Sequence, residues 1–204
     1  MKSIGLPWRA AFLGSALCIA IGGPRHPGGS MAEMLAHPDW VPAHAFLLAG
    51  FVALLIGLVL FQRTPSLPRG TRTWLRFAVI ATALQAVEMA FHLAAVVDQA
   101  NLVAGRSTPV LSTHLGLAVV IYPVFALAWV GLIIAGMRDH VLGSRWIGWI
   151  GMLGVLGQGV SPPLIVLLHV EQARVLFPLL AVFALWILLA AFWPLAAAGG
   201  KKLE

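Results

Sequence analysis

Long apolar runs, broken by short clusters of proline, glycine and arginine, set the layout of this chain. Six runs approach the ~20 residues that an α-helix needs to cross a bilayer core. They cover roughly 6–22, 43–62, 74–97, 113–137, 146–169 and 173–196. Gly22-Gly23-Pro24, Pro65 with Pro68-Arg69-Gly70, Gly105 and Gly143 mark the breaks. The first run is the weakest: its charged start (Lys2, Arg9) and short apolar stretch also suit a signal peptide, and it is read as a retained helix. The fifth run contains Ser161-Pro162-Pro163. It is read as one kinked span, the alternative being a break with Ser161 as N-cap and Pro162 opening a new helix.

Composition removes the soluble alternatives. Of 204 residues, 60% are hydrophobic and 10% charged, with a mean hydropathy of +0.94. A soluble domain carries about 25% charged residues. The expected fold class is therefore an all-α, polytopic membrane protein: a single six-helix transmembrane bundle spanning 1–204. The net charge of +6 is a topology signal rather than a nucleic-acid footprint. With the N-terminus inside, Lys2, Arg9, Arg63, Arg69, Arg72, Arg76, Arg138, Arg145, Lys201 and Lys202 fall on the cytoplasmic side. Arg25, Arg106 and Arg174 fall outside. Both termini are thus expected in the cytoplasm of a multi-pass protein of the cell membrane. The lone Cys18 excludes an intrachain disulfide and a thiolate cluster.

Polar residues inside the apolar runs carry the chemistry. Glu88 and His92 stand four apart on the third run, on one stripe with Thr82 and Gln85. Glu88 lies about 13 Å below Val97 at ~1.5 Å per residue, too deep to reach water directly. His44 opens the second run, His114 opens the fourth, and His169 closes the fifth. Because successive spans alternate in direction, these four imidazoles share the outer end with Glu88. A buried carboxylate among imidazoles requires a partner: a proton, an imidazolium or a cation. Gln158 returns to nearly the azimuth of His169, and His114 lies about two turns above Tyr122, the sole tyrosine. Spans two to five are expected to enclose a polar pocket, with one and six as outer supports.

The predicted centre is a transition-metal site of His44, Glu88, His92, His114 and His169, facing the extracytoplasmic side. Gln85, Tyr122 and Gln158 stand behind these ligands. His26 and His37, in the outer loop, are candidate lid or accessory ligands. That loop reads Ser30 to His37 as a short helix, with Ser30 and Glu33 as a capping box. Glu88 is the candidate catalytic group, as ligand, partner to a ring N–H, or general base. Zinc, copper or iron suits imidazole and carboxylate donors, and Met31, Met34 and Met89 lean toward copper. The implied protein is a metal-dependent enzyme acting on a lipid or quinone-like substrate, a hydrolase with zinc or an oxidoreductase with copper or iron.

Two other readings stand beside it. With haem b, two histidines would be axial ligands and Arg25, Arg106 or Arg174 would hold propionates. One histidine on each of spans two to five resembles the two-haem, ascorbate-oxidising membrane cytochromes in count. Their histidine pairs lie near opposite faces, so the resemblance implies no electron wire across this bilayer. Three-histidine zinc sites of ceramide-cleaving membrane hydrolases are similar in architecture only. A proton-coupled permease would use the buried Glu and His, but the inner half offers no ionisable path. Gly148, Gly151, Gly154 and Gly157 permit close helix packing, and the span 146–169 could mediate a homo-oligomer. No Walker loop, dinucleotide fingerprint or nucleophile elbow occurs, and no nucleic-acid partner is expected.

Overall fold

The computed structural model describes residues 6–65 and 67–194. Among them the regular structure is helical, with no strand. The helices are α1 (Leu6–Arg25), α2 (Met31–Ala36), α3 (Trp40–Phe61), α4 (Arg69–Ala94), α5 (Gln99–Val103), α6 (Pro109–Arg138), α7 (Arg145–Leu168) and α8 (Leu179–Phe192). Tight 3₁₀ turns at Ala95–Asp98 and Glu171–Leu176 extend α4 and precede α8. By length and composition, five of the described stretches can cross a membrane: Trp40–Phe61, Arg69–Val103, Pro109–Arg138, Arg145–Leu168 and Glu171–Phe192. The first helix, with Arg9 near its start and Arg25 at its end, is not in that set. The far end of the sixth expected run, 195–196, lies outside the described residues, as do Lys2, Lys201 and Lys202.

Neighbouring long helices pack in chain order, α1 on α3, α3 on α4, α4 on α6, α6 on α7 and α7 on α8. Packing of α8 on α1 then closes a ring of six. Short connections make each neighbour antiparallel, as in an up-and-down bundle. The first and last long helices are therefore wall members of the ring rather than outer supports. Two small-residue seams draw neighbouring helices together within the ring. A Cβ on Gly57 of α3 would collide with Phe12 of α1, and one on Gly50 would meet Ile19 at 2.9 Å. Gly151 and Gly154 of α7 likewise admit Trp186 and the Phe183 backbone of α8. In lipid, where apolar burial gives helices little reason to associate, such close approach supplies the contact. The glycines of α7 are thus occupied within the chain.

The fifth expected span is one helix that runs through Pro162 and Pro163 without interruption, so the alternative start at Pro162 does not occur. Each proline lacks an N–H, and its helix tolerates the loss within the wall of the bundle. Helix α4 begins at Arg69, earlier than the apolar run, because the basic turn Arg69-Gly70-Thr71-Arg72 is capable of helix without being apolar. The Asp139 carboxylate accepts from the Thr71 N–H and hydroxyl, pinning that turn to the end of α6.

Inside the ring the two halves differ. In the middle and lower part Trp129, Phe183 and Trp186 meet in edge and stacked pairs, with ring centroids 5.2–5.8 Å apart. Phe125 joins Phe51 and Phe183 edge to face. The indole of Trp129 donates to Thr82 Oγ1 at 3.1 Å, giving its polar atom a partner. Above this plug the ring opens into a cavity of about 620 Å3.

Candidate metal centre

Three local devices aim side chains into the upper end of the ring. The Trp40 indole donates to the Leu93 carbonyl at 3.4 Å, tying the start of α3 to the end of α4. That contact sets His44, one turn into α3, against His92, in the last turn of α4. The buried Asp98 carboxylate accepts from the Leu111 N–H at 2.9 Å, clamping the end of α4 to the first turn of α6. This second tie sets His92 against His114. Helix α1 runs through Pro24 to Arg25, past the break expected at Gly22-Gly23-Pro24, and the His26 ring just beyond its end enters beside His44 at a centroid distance of 4.8 Å.

Hydrogen bonds fix the tautomers of two rings. His44 Nδ1 lies 2.6 Å from the Trp40 carbonyl, and His26 Nδ1 lies 2.9 Å from the Pro27 carbonyl. A carbonyl only accepts, so each Nδ1 carries the proton. Each neutral ring is left with a bare Nε2. Burial lowers the His26 pKa below its ordinary value, which keeps this loop imidazole neutral. A metal-ligating histidine commonly has its second nitrogen donating in this way. His44 Nε2 faces His92 Nε2 at 3.1 Å. Two imidazole nitrogens on one tetrahedral ion, each at 2.0–2.1 Å, stand about 3.3 Å apart. Ligand atoms of His26, His44 and His92 all lie within 4.8 Å of one another.

Glu88, His92 and His114 form a second such group, again within 4.8 Å. Glu88 is fully buried, and its Oε2 accepts from Gln85 Nε2 at 2.8 Å. Its Oε1 approaches His114 Nδ1 to 2.6 Å, but outside hydrogen-bond geometry for a ring N–H. Glu88 Oε1, His92 Nδ1 and His114 Nδ1 are buried and have no hydrogen-bond partner among the described residues. Orphaned buried polar atoms are rare, and an ion is one of the few things that satisfies several at once. The phenol of Tyr122 stands beside Glu88 and Gln85.

The cavity meets this cluster on one side. His26, His92 and His114 line it, together with Tyr122, Gln158 and Arg174. Its remaining walls are largely apolar, with Met31, Met34, Met89, Leu47, Phe51 and Phe177 among them. Gln158 donates to the Phe177 carbonyl at 3.0 Å, joining α7 to the turn before α8. Arg174 donates to the Gly29 carbonyl at 2.6 Å and pairs with Glu171 at 2.7 Å, holding the loop between α1 and α2 at the histidine end of the ring.

Of the residues singled out in the sequence, the structure brings His44, Glu88, His92 and His114 together, and His26 with them. His169 does not join. It caps α7 in a left-handed conformation (φ 54°) with its side chain exposed, because α7 ends at Leu168 before the helical azimuth can carry the ring inward. His37 is exposed as the C-cap of α2, where its Nδ1 accepts from the Asp39 N–H. His26, expected as a lid or accessory ligand, is part of the inner group. Nothing in the sequence pattern separated it from His37, since both lie in one polar loop. Helix α2 is capped by Ser30, with the Glu33 carboxylate closing the box on the Ser30 N–H at 2.7 Å.

Comparison with protein-family models, curated proteins and solved structures finds no match for the chain. Its chemistry therefore rests on geometry alone: an apolar helical bundle, compatible with a membrane, holding a His/Glu group able to take a metal ion.

Proposed function

We propose that the chain is a metal-dependent membrane enzyme whose ion sits among His26, His44, His92, His114 and Glu88 and acts on a lipid- or quinone-like substrate. The observation that carries this reading is the convergence of fixed, neutral imidazoles and orphaned buried atoms at the wall of a substrate-sized cavity. Ligand pockets commonly span 300–1,000 Å3 and pair apolar walls with a few polar groups. An amphipathic molecule would lay its tail against Leu47, Phe51 and Phe177 and present a carbonyl or hydroxyl to the ion. A bound zinc, copper or iron would polarise that oxygen or exchange electrons with it. Glu88 is the one carboxylate of the set, suited to ligating the ion or receiving a proton beside it. Gln85 holds its second oxygen in either role.

In this reading all six long helices cross the cell membrane. The basic residues at the plug end lie in the cytoplasm with both termini, and the cavity faces the extracytoplasmic side. The ring packing of α1 supports counting it as a span. A bare ion suits the site better than haem. Two axial imidazoles on one iron put their nitrogens about 4 Å apart on opposite sides of a porphyrin. Here His44 and His92 nitrogens stand at 3.1 Å, and the His92 and His114 rings stack at 3.9 Å, leaving no slot between them. The aromatic plug argues against a carrier, since it fills the route below the cavity.

The test is elemental analysis of the purified full chain with its visible spectrum. Stoichiometric zinc, copper or iron without a Soret band is expected, and His44→Ala should lose most of it. A metal-free protein that takes up no added ion refutes the reading. Short-chain quinol and a fluorescent amide lipid, assayed with the metal-loaded protein, then separate oxidation from hydrolysis.

A further inference from the structure

Among the five ligands one residue is used twice. His92 belongs both to the His26–His44–His92 group and to the Glu88–His92–His114 group. Its two nitrogens are in different circumstances. Nε2 faces the bare Nε2 of His44 at 3.1 Å, whereas Nδ1 is buried with no hydrogen-bond partner among the described residues. A single ion engages one nitrogen of an imidazole and leaves the other to a proton donor or acceptor, commonly a carboxylate, carbonyl or water. His26 and His44 follow that rule through the Pro27 and Trp40 carbonyls. His92 does not, since its second nitrogen meets no such acceptor. What the second group offers instead is two more buried atoms without a hydrogen bond, Glu88 Oε1 and His114 Nδ1, which stand 2.6 Å apart.

Resting on the metal-centre reading above, we infer that the site holds two ions, with His92 bridging them. One ion takes His26, His44 and His92 Nε2. The other takes His92 Nδ1, His114 and Glu88, which assigns Glu88 as a ligand. Bridging requires the His92 ring to give up its N–H proton to solvent, so that each nitrogen offers a lone pair. Both cations compensate the resulting negative charge, as cations do for coordinating groups generally. The ions would stand about 6 Å apart, from two metal–nitrogen bonds of 2.0–2.1 Å and the width of the ring. The two sites differ in access. His26 follows α1 on the outer loop, while Glu88 is fully buried under the stacked His92 and His114 rings. The donor sets differ as well: three imidazoles for the outer ion, two imidazoles and a carboxylate for the inner. A nitrogen-rich set suits copper or zinc, and the oxygen donor widens the choice toward iron.

The experiment is a metal count on the full chain in detergent, stripped with chelator and reloaded with zinc alone or with copper(II) alone. About two equivalents per chain are expected for wild type. His26→Gln and Glu88→Gln should each fall to about one, and His92→Phe should lose both. Copper(II) loaded to saturation should give a spin-coupled resonance that His26→Gln converts to that of an isolated ion. Retained monodisperse elution separates loss of metal from loss of fold. One equivalent in wild type, abolished by Glu88→Gln and by His26→Gln alike, overturns the bridge and leaves a single-ion centre standing. No uptake of either ion overturns both.

Discussion

At the plug end, Trp129, Phe183 and Trp186 fill the ring's interior in edge and stacked contact, and the one indole that reaches a partner does so through Thr82. At the histidine end the same helices leave a cavity, and the groups around it are polar and incompletely satisfied. Gln85 Oε1, Glu88 Oε1, His92 Nδ1 and His114 Nδ1 are four of the eight orphaned buried side-chain atoms found among the described residues. Their clustering separates a region built for packing from one built for binding. A polar atom buried away from water and left unsatisfied destabilises a fold by about 1–3 kcal/mol, less for Glu88 Oε1 and His114 Nδ1, which approach each other to 2.6 Å. Four in one cluster, within reach of one another, make sense where a ligand completes them.

The largest expected break in this contrast comes from emptying the plug. Trp129→Ala should destabilise the bundle by about 3–5 kcal/mol, the range for a large aromatic truncated in a packed core. Thr82 also loses its partner. Metal uptake per folded chain should be unchanged. Thermal unfolding in detergent and a metal count read both halves of the statement. A variant that kept its stability but lost its ions would show that the two ends are not separable. His44→Ala is the mirror experiment: metal is lost, and the stability of the metal-free protein falls far less than for Trp129→Ala. His140→Ala, at the opposite end of the bundle, should leave the metal count untouched.

The seams come next in size. A Cβ at Gly154 would sit among the backbone atoms of Phe183, which cannot swing aside as a side chain would. Gly154→Ala should force α7 and α8 apart and destabilise by about 1–3 kcal/mol, as overpacking does. Because the Gln158–Phe177 hydrogen bond joins α7 to the turn just before α8 at the cavity, ligand binding should weaken along with stability. If Gly154→Ala left both unchanged, the closed ring would not be the source of the cavity's shape.

These regions were unequally legible in the sequence. The five stretches able to cross a membrane followed from run length and apolar composition alone. Glu88, His92, His44 and His114 were legible as a set because alternating spans return to one end and an i, i+4 pair shares a face. His169 misled because its azimuth was counted along a helix that stops one residue earlier, and a helix cap in the left-handed region redirects the ring. His26 was undervalued for the converse reason. Its direction depends on where α1 ends, at Arg25, and on the Pro27 carbonyl, neither of which follows a period. The closure of α1 on α8 was hidden because no period along the chain says which helices stand side by side.

A smaller effect tests the tie that aligns the rings. Asp98→Ala removes the acceptor for the Leu111 N–H and should destabilise the start of α6 by about 1 kcal/mol, as loss of a helix cap does. Affinity for the Glu88–His114 ion should fall more than affinity for the His26–His44 ion, because the tie positions α6 and not α3. Equal weakening of the two would assign Asp98 to the fold rather than to the site.

The smallest effect concerns the outer loop. The Ser30 hydroxyl and backbone N–H both donate to the Glu33 carboxylate and hold its pKa below the usual glutamate value. Since the folded value is the lower one, the box supports α2 fully above the ordinary glutamate range. That support is lost only as pH falls through the depressed value. Glu33 is exposed, and salt and water screen it, so the consequence is local. The Ser30 amide resonance should therefore titrate with a midpoint below the ordinary glutamate pKa, and Ser30→Ala, which removes the hydroxyl but keeps the backbone N–H, should move Glu33 part of the way back toward it. Thermal stability of the whole bundle should hardly move over the same interval, because α2 contributes little to the ring. A midpoint at or above the ordinary value would remove the capping box as the anchor of α2. The Arg174 contact to Gly29 would then be what holds the loop over the histidines.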